Sequence, residues 1–143
     1  TMNKLAKAFS ITAQAFENKL DKGGKPYILH CIFVWEGVKD EDEDTQCAAL
    51  MHDLVEDCPE WSFERLTKEG FSDKTVGILH LLTHQKGTDY MAYIKAISVC
   101  EKATKIKKRD LHHNSDITRI KDVRKKDFDR LEKYVMAYKY LSN

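Results

Sequence analysis

The segment Cys47-Ala48-Ala49-Leu50-Met51-His52-Asp53-Leu54-Val55-Glu56-Asp57 carries one imidazole and three carboxylates within a short span. On a helical wheel at about 100° per residue, His52, Asp53, Glu56 and Asp57 share an arc of about 140°. Cys47, Ala48, Leu50, Met51, Leu54 and Val55 take the remainder, and only Ala49 intrudes on the polar arc. Such a face is either the solvated side of an ordinary amphipathic helix or a surface that binds a metal and activates water. A second constellation lies downstream, where Ala103, Ile106, Asp110, His113 and Ile117 recur at helical spacing with Asn114 on the flank. An ionised carboxylate on a core-facing stripe costs several kcal/mol unless it is paired, so Asp110 needs either a lysine such as Lys107 or a metal. His30 is the third element, the one ionisable group in the apolar run from Tyr27 to Trp35. A lone core histidine bonded to a carbonyl is the ordinary explanation. Together, however, His30, His52, Asp53 and Asp110 offer two imidazoles and two carboxylates, and one divalent ion would account for all three anomalies.

The elements that must position these residues read as helices throughout. Leu5, Phe9, Ala13, Phe16 and Leu20 mark an amphipathic helix over about residues 3 to 20, ended by Gly23 and Gly24. Pro26 suits a first helical position, and the run behind it predicts a central helix carrying His30. The acidic run Asp40 to Asp44 reads as a solvated loop feeding the N-terminus of the next helix, where the macrodipole favours negative charge. That helix is expected from about Thr45 to Asp57, with Pro59 beyond it. Ser62 and Ser72 are the expected N-caps of two further helices, one ending at Gly70 and one reaching about Thr83. Helical patterns continue over about Tyr90 to Asp116 and Asp122 to Leu141, the last with Phe128, Leu131, Val135 and Tyr138 as its expected buried stripe.

Composition narrows the function classes. The 143 residues, 42% hydrophobic and 33% charged, suit one domain, residues 1 to 143, with a real core. Lys and Arg number 24 against 23 Asp and Glu, a balance with no bulk field to hold nucleic acid or an anionic membrane. The local basic residues Lys105, Lys107, Lys108, Arg109, Lys121, Arg124, Lys125 and Lys126 read as solvated helix surface rather than an RNA contact. No apolar run approaches the roughly 20 residues of a membrane span, and Thr1 to Ser10 lacks the apolar stretch of a signal peptide. Cys31, Cys47, Cys58 and Cys100 show no CxxC spacing and read as reduced thiols, so a soluble cytoplasmic protein is expected. His80 and His84 stand at i, i+4 without an intervening Glu or a third ligand and read as surface residues, and Trp35 and Trp61 as packing residues.

The motifs resemble the HD-domain metal-dependent phosphohydrolases, most closely the hydrolase domain of the RelA/SpoT alarmone enzymes and their small single-domain relatives. The resemblance spans about residues 16 to 120. It rests on Gly24-Lys25-Pro26-Tyr27-Ile28-Leu29-His30, on Ala48 through Asp57, on Leu82-Thr83-His84 with Tyr90 and Tyr93-Ile94, and on Ile106 through Asn114. It implies an all-α, compact helical bundle in which His30, His52, Asp53 and Asp110 hold one divalent ion between helices, usually manganese. It further implies Glu56 and Asp57 as the catalytic carboxylate pair, and a nucleotide substrate met by Asn114, Lys22, Lys25 and Asp21. The implied reaction is hydrolysis of the 3′-pyrophosphate of (p)ppGpp to GDP or GTP and pyrophosphate. Three positions depart from the pattern: Asp21 stands where the relatives carry Arg, Cys31 replaces a Pro, and the Asp-Arg-x-His-Asn motif has become Asp110-Leu111-His112-His113-Asn114. The nucleotide-reading parts have therefore changed more than the metal set. A phosphatase on a nucleoside monophosphate or on the 2′-phosphate of NADPH, and a non-catalytic nucleotide-binding module, are the rival expectations. The intact Glu56 and Asp57 argue against the last, since binding alone needs no water-activating pair.

Overall fold

The computed structural model describes residues 3–143; Thr1 and Met2, the start of the stretch read for a leader, lie outside the described residues. Among the described residues the chain folds into α1 (Lys4–Ala15), α2 (Ile28–Glu36), α3 (Glu43–Leu50), α4 (Leu54–Asp57), α5 (Phe63–Lys68), α6 (Asp73–Leu82), α7 (Tyr90–Ile97), α8 (Glu101–Asn114) and α9 (Lys125–Leu141), with a 3-10 turn at Ile117–Arg119 before α9. The all-helical bundle expected from the sequence is what forms. Leu50, Met51, Leu54, Leu66, Leu79, Ile94, Ile97, Ile106 and Leu111 are fully buried at its centre. Helix α3 lies in the middle, packed against α1, α2 and α6, while α8 packs against α2 and α9.

Local signals set the helix starts. Asp42, Ser62, Ser72 and Asp89 each turn a side-chain oxygen back onto a backbone N–H three residues on, satisfying a donor that the first helical turn leaves open. The acidic run accordingly feeds α3, with Glu43 and Asp44 in its first turn and Glu41 paired to Lys102 and Lys105. Among the described residues, no helix is long and apolar enough to cross a membrane.

Three boundaries differ from the sequence reading. The first helix ends at Ala15, and Leu20, expected in its buried stripe, is 61% exposed in an isolated bridge to Pro26. The helix expected from Thr45 to Asp57 breaks at Met51–Asp53. There the His52 ring Nδ1–H donates to the Ala49 carbonyl at 2.8 Å, taking the acceptor that Asp53 N–H would use in a continuous helix. The expected helix from Tyr90 to Asp116 is two, because Ser98 Oγ donates to Lys95 O and Cys100 turns extended to cap α8 through its sulfur.

The last helix departs most. Phe128, Val135 and Tyr138 face outward and Leu131 is only partly buried, while Asp127, Ala137 and Leu141 are buried. Helix α9 closes over a cavity, so its inner face carries the polar and aromatic residues Asp127, Arg130 and Tyr134. Hydrophobic spacing could not signal that choice of face.

Candidate active site

The cluster at the centre of the bundle is assembled from two helices, α2 and α8, and the break between α3 and α4. His30 comes from the first turn of α2, His52 and Asp53 from the break, and Asp110 from the last turns of α8. One ligand-capable atom from each lies within 4.8 Å of all the others. His30 Nε2 is 3.3 Å from His52 Nε2, 3.0 Å from Asp110 Oδ1 and 3.7 Å from Asp53 Oδ2. His52 Nε2 is 3.0 Å from Asp53 Oδ2 and 3.4 Å from Asp110 Oδ1. Donors about 2.1 Å from one shared divalent ion lie roughly 3 Å apart, so the set fits such an ion in both spacing and chemistry. His30, His52 and Asp110 are almost fully buried, which keeps bulk water from competing.

The charges around the cluster are strongly coupled. Burial alone would push the Asp110 carboxyl up, yet the Lys107 ammonium and His52 hold it well below the usual carboxylate range. Lys107 Nζ sits 3.0 Å from Asp110 Oδ2, while Oδ1 turns to the two imidazoles. The lysine partner and the ligand role left open by the sequence therefore use different oxygens of one carboxylate. Burial likewise opposes ionisation of Asp53, but His52 wins and takes it down to about 2. His52 is itself raised well above its ordinary value by Asp53 and Asp110, against its burial.

A second layer orients these groups. The Ala49 carbonyl holds the His52 Nδ1–H, which leaves Nε2 aimed at the cluster. His30 Nδ1 lies 2.7 Å from His113 Nδ1. His113 is wedged by stacking on Phe33, with ring centroids 4.0 Å apart, and burial together with Arg119 and His30 lowers its pKa to about 4. A neutral His113 accepts at Nδ1, so His30 donates there and keeps Nε2 free for the cluster. Tyr27 Oη donates to Asp53 Oδ2 at 2.5 Å and Asn114 Nδ2 to Asp110 Oδ1 at 2.9 Å.

Two cavities meet at the cluster. One, of about 390 Å³, is lined by Asp21, Lys22, His30, Asn114, Arg119, Arg130 and Tyr134, with Leu20, Ile117, Ile120 and Leu131 as apolar wall. The other, of about 280 Å³, contains His52, Asp53, Glu56, Asp57, Asp110, Tyr90, Lys107 and Lys133. Tyr27, Asn114 and Tyr134 line both. Glu56 Oε1 accepts the His84 backbone N–H at 2.8 Å, and Asp57 Oδ2 meets Lys19 Nζ at 3.0 Å. Partial burial pushes the Glu56 carboxyl up; the His84 N–H holds it back, while the charges of Asp53 and Asp57 raise it further. A carboxylate raised in this way is better matched to taking a proton from water.

Of the residues expected to meet a nucleotide, Asp21, Lys22 and Asn114 line the larger cavity and Lys25 does not. Asp21 is also committed elsewhere. Its carboxylate accepts the Gly23 and Lys25 N–H groups at 2.9 Å each and pairs with Arg119 Nη2 at 2.9 Å. The turn requires Gly24 at φ +82°, and a Cβ on Gly23 would stand 2.2 Å from the Arg119 carbonyl. Asp21 thus holds the loop that builds the cavity instead of presenting a free negative charge, and a guanidinium does reach this wall, from Arg119. Spacing gave no notice of Lys19, Arg119, Arg130 or Tyr134, each brought in by tertiary packing; it placed His113 on the Asp110 stripe but not against His30. His84 was signalled in the Leu82-Thr83-His84 motif, yet it contributes its backbone N–H and its ring stacks on Tyr93. His80 is exposed and stacks on Phe63, away from the cluster.

The HD-domain family model matches residues 8–130. Among solved structures, the fold is similar to that of a metazoan ortholog of SpoT, a protein that hydrolyzes ppGpp and plays a role in starvation responses. The TM-score is 0.79 at 22% sequence identity, over 99% of this chain and 86% of that one. With the match covering most of the chain and the His and Asp donors gathered in one buried cluster, this protein belongs to the HD-domain family of metal-dependent phosphohydrolases.

Proposed function

We propose that this chain, acting as a single domain, hydrolyses a nucleotide phosphate ester, with the 3′-pyrophosphate of (p)ppGpp as substrate and GDP or GTP and pyrophosphate as products. The observation that carries the reading is the position of the four-donor cluster at the seam of two cavities, one with apolar and cationic walls and one with the Glu56 and Asp57 carboxylates. His30, His52, Asp53 and Asp110 hold the ion, which we assign as manganese. Such an ion lowers the pKa of a water and neutralises charge on phosphoryl oxygens. Glu56 takes the proton as the water oxygen bonds to phosphorus, and Asp57, fixed by Lys19, orients the same water. The ester P–O bond breaks and the nucleoside oxygen leaves, collecting a proton. Asn114 and Tyr27 keep the Asp110 and Asp53 carboxylates in place during the step. The base and sugar occupy the larger cavity against Leu20, Ile117, Ile120 and Leu131, near Lys22, while Asp21 acts through its loop, in which Lys25 contributes its backbone N–H.

Support for the alarmone comes from the motif resemblance and from the activity of the SpoT ortholog that shares the fold. Four free cysteines, three of them buried, suit the reducing cytoplasm where we place the enzyme. The test is a turnover screen with manganese over guanosine tetraphosphate, its adenosine counterpart, nucleoside monophosphates and NADPH. Pyrophosphate release from the first compound is expected. Release of phosphate from NADPH or a monophosphate alone would replace the substrate, and no turnover with any of them would leave a binding module.

A further inference from the structure

The smaller cavity contains polar groups that the water-activating residues do not use. Tyr90 opens α7, and its Oη is buried on this cavity's wall without a hydrogen-bond partner among the described residues. Buried hydroxyls in native proteins are nearly always satisfied, so an orphan one beside a cavity marks the place of an acceptor supplied from outside. Lys133 Nζ lies 4.5 Å above the centre of the Tyr90 ring and has no carboxylate partner among the described residues. Lys107 stands near by, within 5.2 Å of the Tyr93 ring centre. The Tyr93 hydroxyl is already engaged, donating to Leu82 O at 2.5 Å.

The cavity's lining is mixed. Asp53, Glu56, Asp57 and Asp110 supply carboxylates, and Tyr90, Lys133 and Lys107, the last paired with Asp110, supply donors and positive charge. A phenol O–H and the Lys133 ammonium, neither with an acceptor among the described residues, suit a tetrahedral oxyanion, and Lys107 adds positive charge beside them while paired with Asp110. The apolar wall that would suit a base or sugar belongs to the other cavity.

We propose that Tyr90 and Lys133, with the charge of Lys107 beside them, bind the phosphate or pyrophosphate group released in the reaction, so that the substrate spans the cluster with its nucleoside in one cavity and its departing anion in the other. The proposal rests on the hydrolase reading above and names the second half of its substrate site.

The experiment is calorimetric titration of the manganese-loaded protein with inorganic pyrophosphate and, separately, phosphate, with manganese content measured before and after. Tyr90→Phe removes one O–H, and Lys133→Met one charge, with little change of shape. Each is expected to weaken anion binding about tenfold or more while manganese stoichiometry holds. Tighter binding of pyrophosphate than of phosphate identifies the released group as pyrophosphate, and equal binding identifies a single phosphate. Wild-type affinity for both anions in both variants overturns the site. The two readings fail separately. Absent turnover with variant-sensitive anion binding sinks the hydrolase and leaves the anion site standing, whereas turnover with pyrophosphate inhibition unchanged in both variants sinks the anion site alone.

Discussion

Replacing His113 with leucine should loosen the metal site without touching any proposed ligand. His30 is 2% exposed, and its Nδ1 has one neighbour, His113 Nδ1, at 2.7 Å. With leucine there, the His30 Nδ1–H is buried without an acceptor, which costs about 1–3 kcal/mol. For a domain near this size each kcal/mol is worth about 2–4 °C of Tm, so the metal-free variant should melt roughly 2–12 °C lower. The metal site pays separately, because His30 can then shift its proton to Nε2 and turn away from the cluster. Loss of such an outer partner typically weakens metal affinity about 10- to 100-fold. His113→Asn supplies an amide oxygen as acceptor and should recover part of both effects. The assays are differential scanning calorimetry of the chelated protein and manganese titration followed by calorimetry. Wild-type manganese affinity in His113→Leu would refute the relay, and so would an asparagine variant no better than leucine on either measurement.

His52→Ala or Asp110→Ala should abolish stoichiometric manganese binding and with it the stabilisation, worth about 2.7 kcal/mol at about a hundredfold excess of metal over Kd, that thermal melts with and without manganese would register. Glu56→Gln should retain manganese while kcat falls by about 10² or more, and loss of the metal in that variant would make Glu56 a ligand instead. Manganese affinity should climb with pH. His52 is raised above 6.5, so its protonated form stabilises the metal-free fold below 6.5 and that contribution fades as pH rises through the raised value, where the ion no longer has a proton to displace. Asp53 has the opposite sign: lowered to about 2, its contribution is present above 3.8 and is lost as pH falls toward 2. Manganese titrations across neutral pH that show constant affinity would contradict the His52 assignment. Asp21→Arg should lower Tm and raise KM, because it sets a second guanidinium against Arg119 and removes the acceptor of two loop N–H groups; a lower KM for guanosine tetraphosphate would show that the pocket tolerates the loss of that loop.

Much of the candidate site was legible in the residues because its signals are local. Ser62 and Ser72 cap helices through bonds to the third residue on, and an ionisable His30 in an apolar run or an Asp110 on a core-facing stripe is an anomaly visible without coordinates. The donor types restricted the chemistry further, since two imidazoles and two carboxylates point to a divalent ion. Packing decided the rest. The break at Met51–Asp53 arises because a side chain, the His52 ring, competes for a backbone acceptor, which periodicity does not register. His113 reaches His30 across 83 positions and Arg119 reaches Asp21 across 98, so neither pairing leaves a trace in spacing. The inner face of α9 is polar because it roofs the cavities, whereas hydrophobic patterning assumes that the buried face is the apolar one. Identity and order along the chain determine which groups can do chemistry; which atoms face one another, and which faces meet solvent, depends on the free energy of the whole packed bundle.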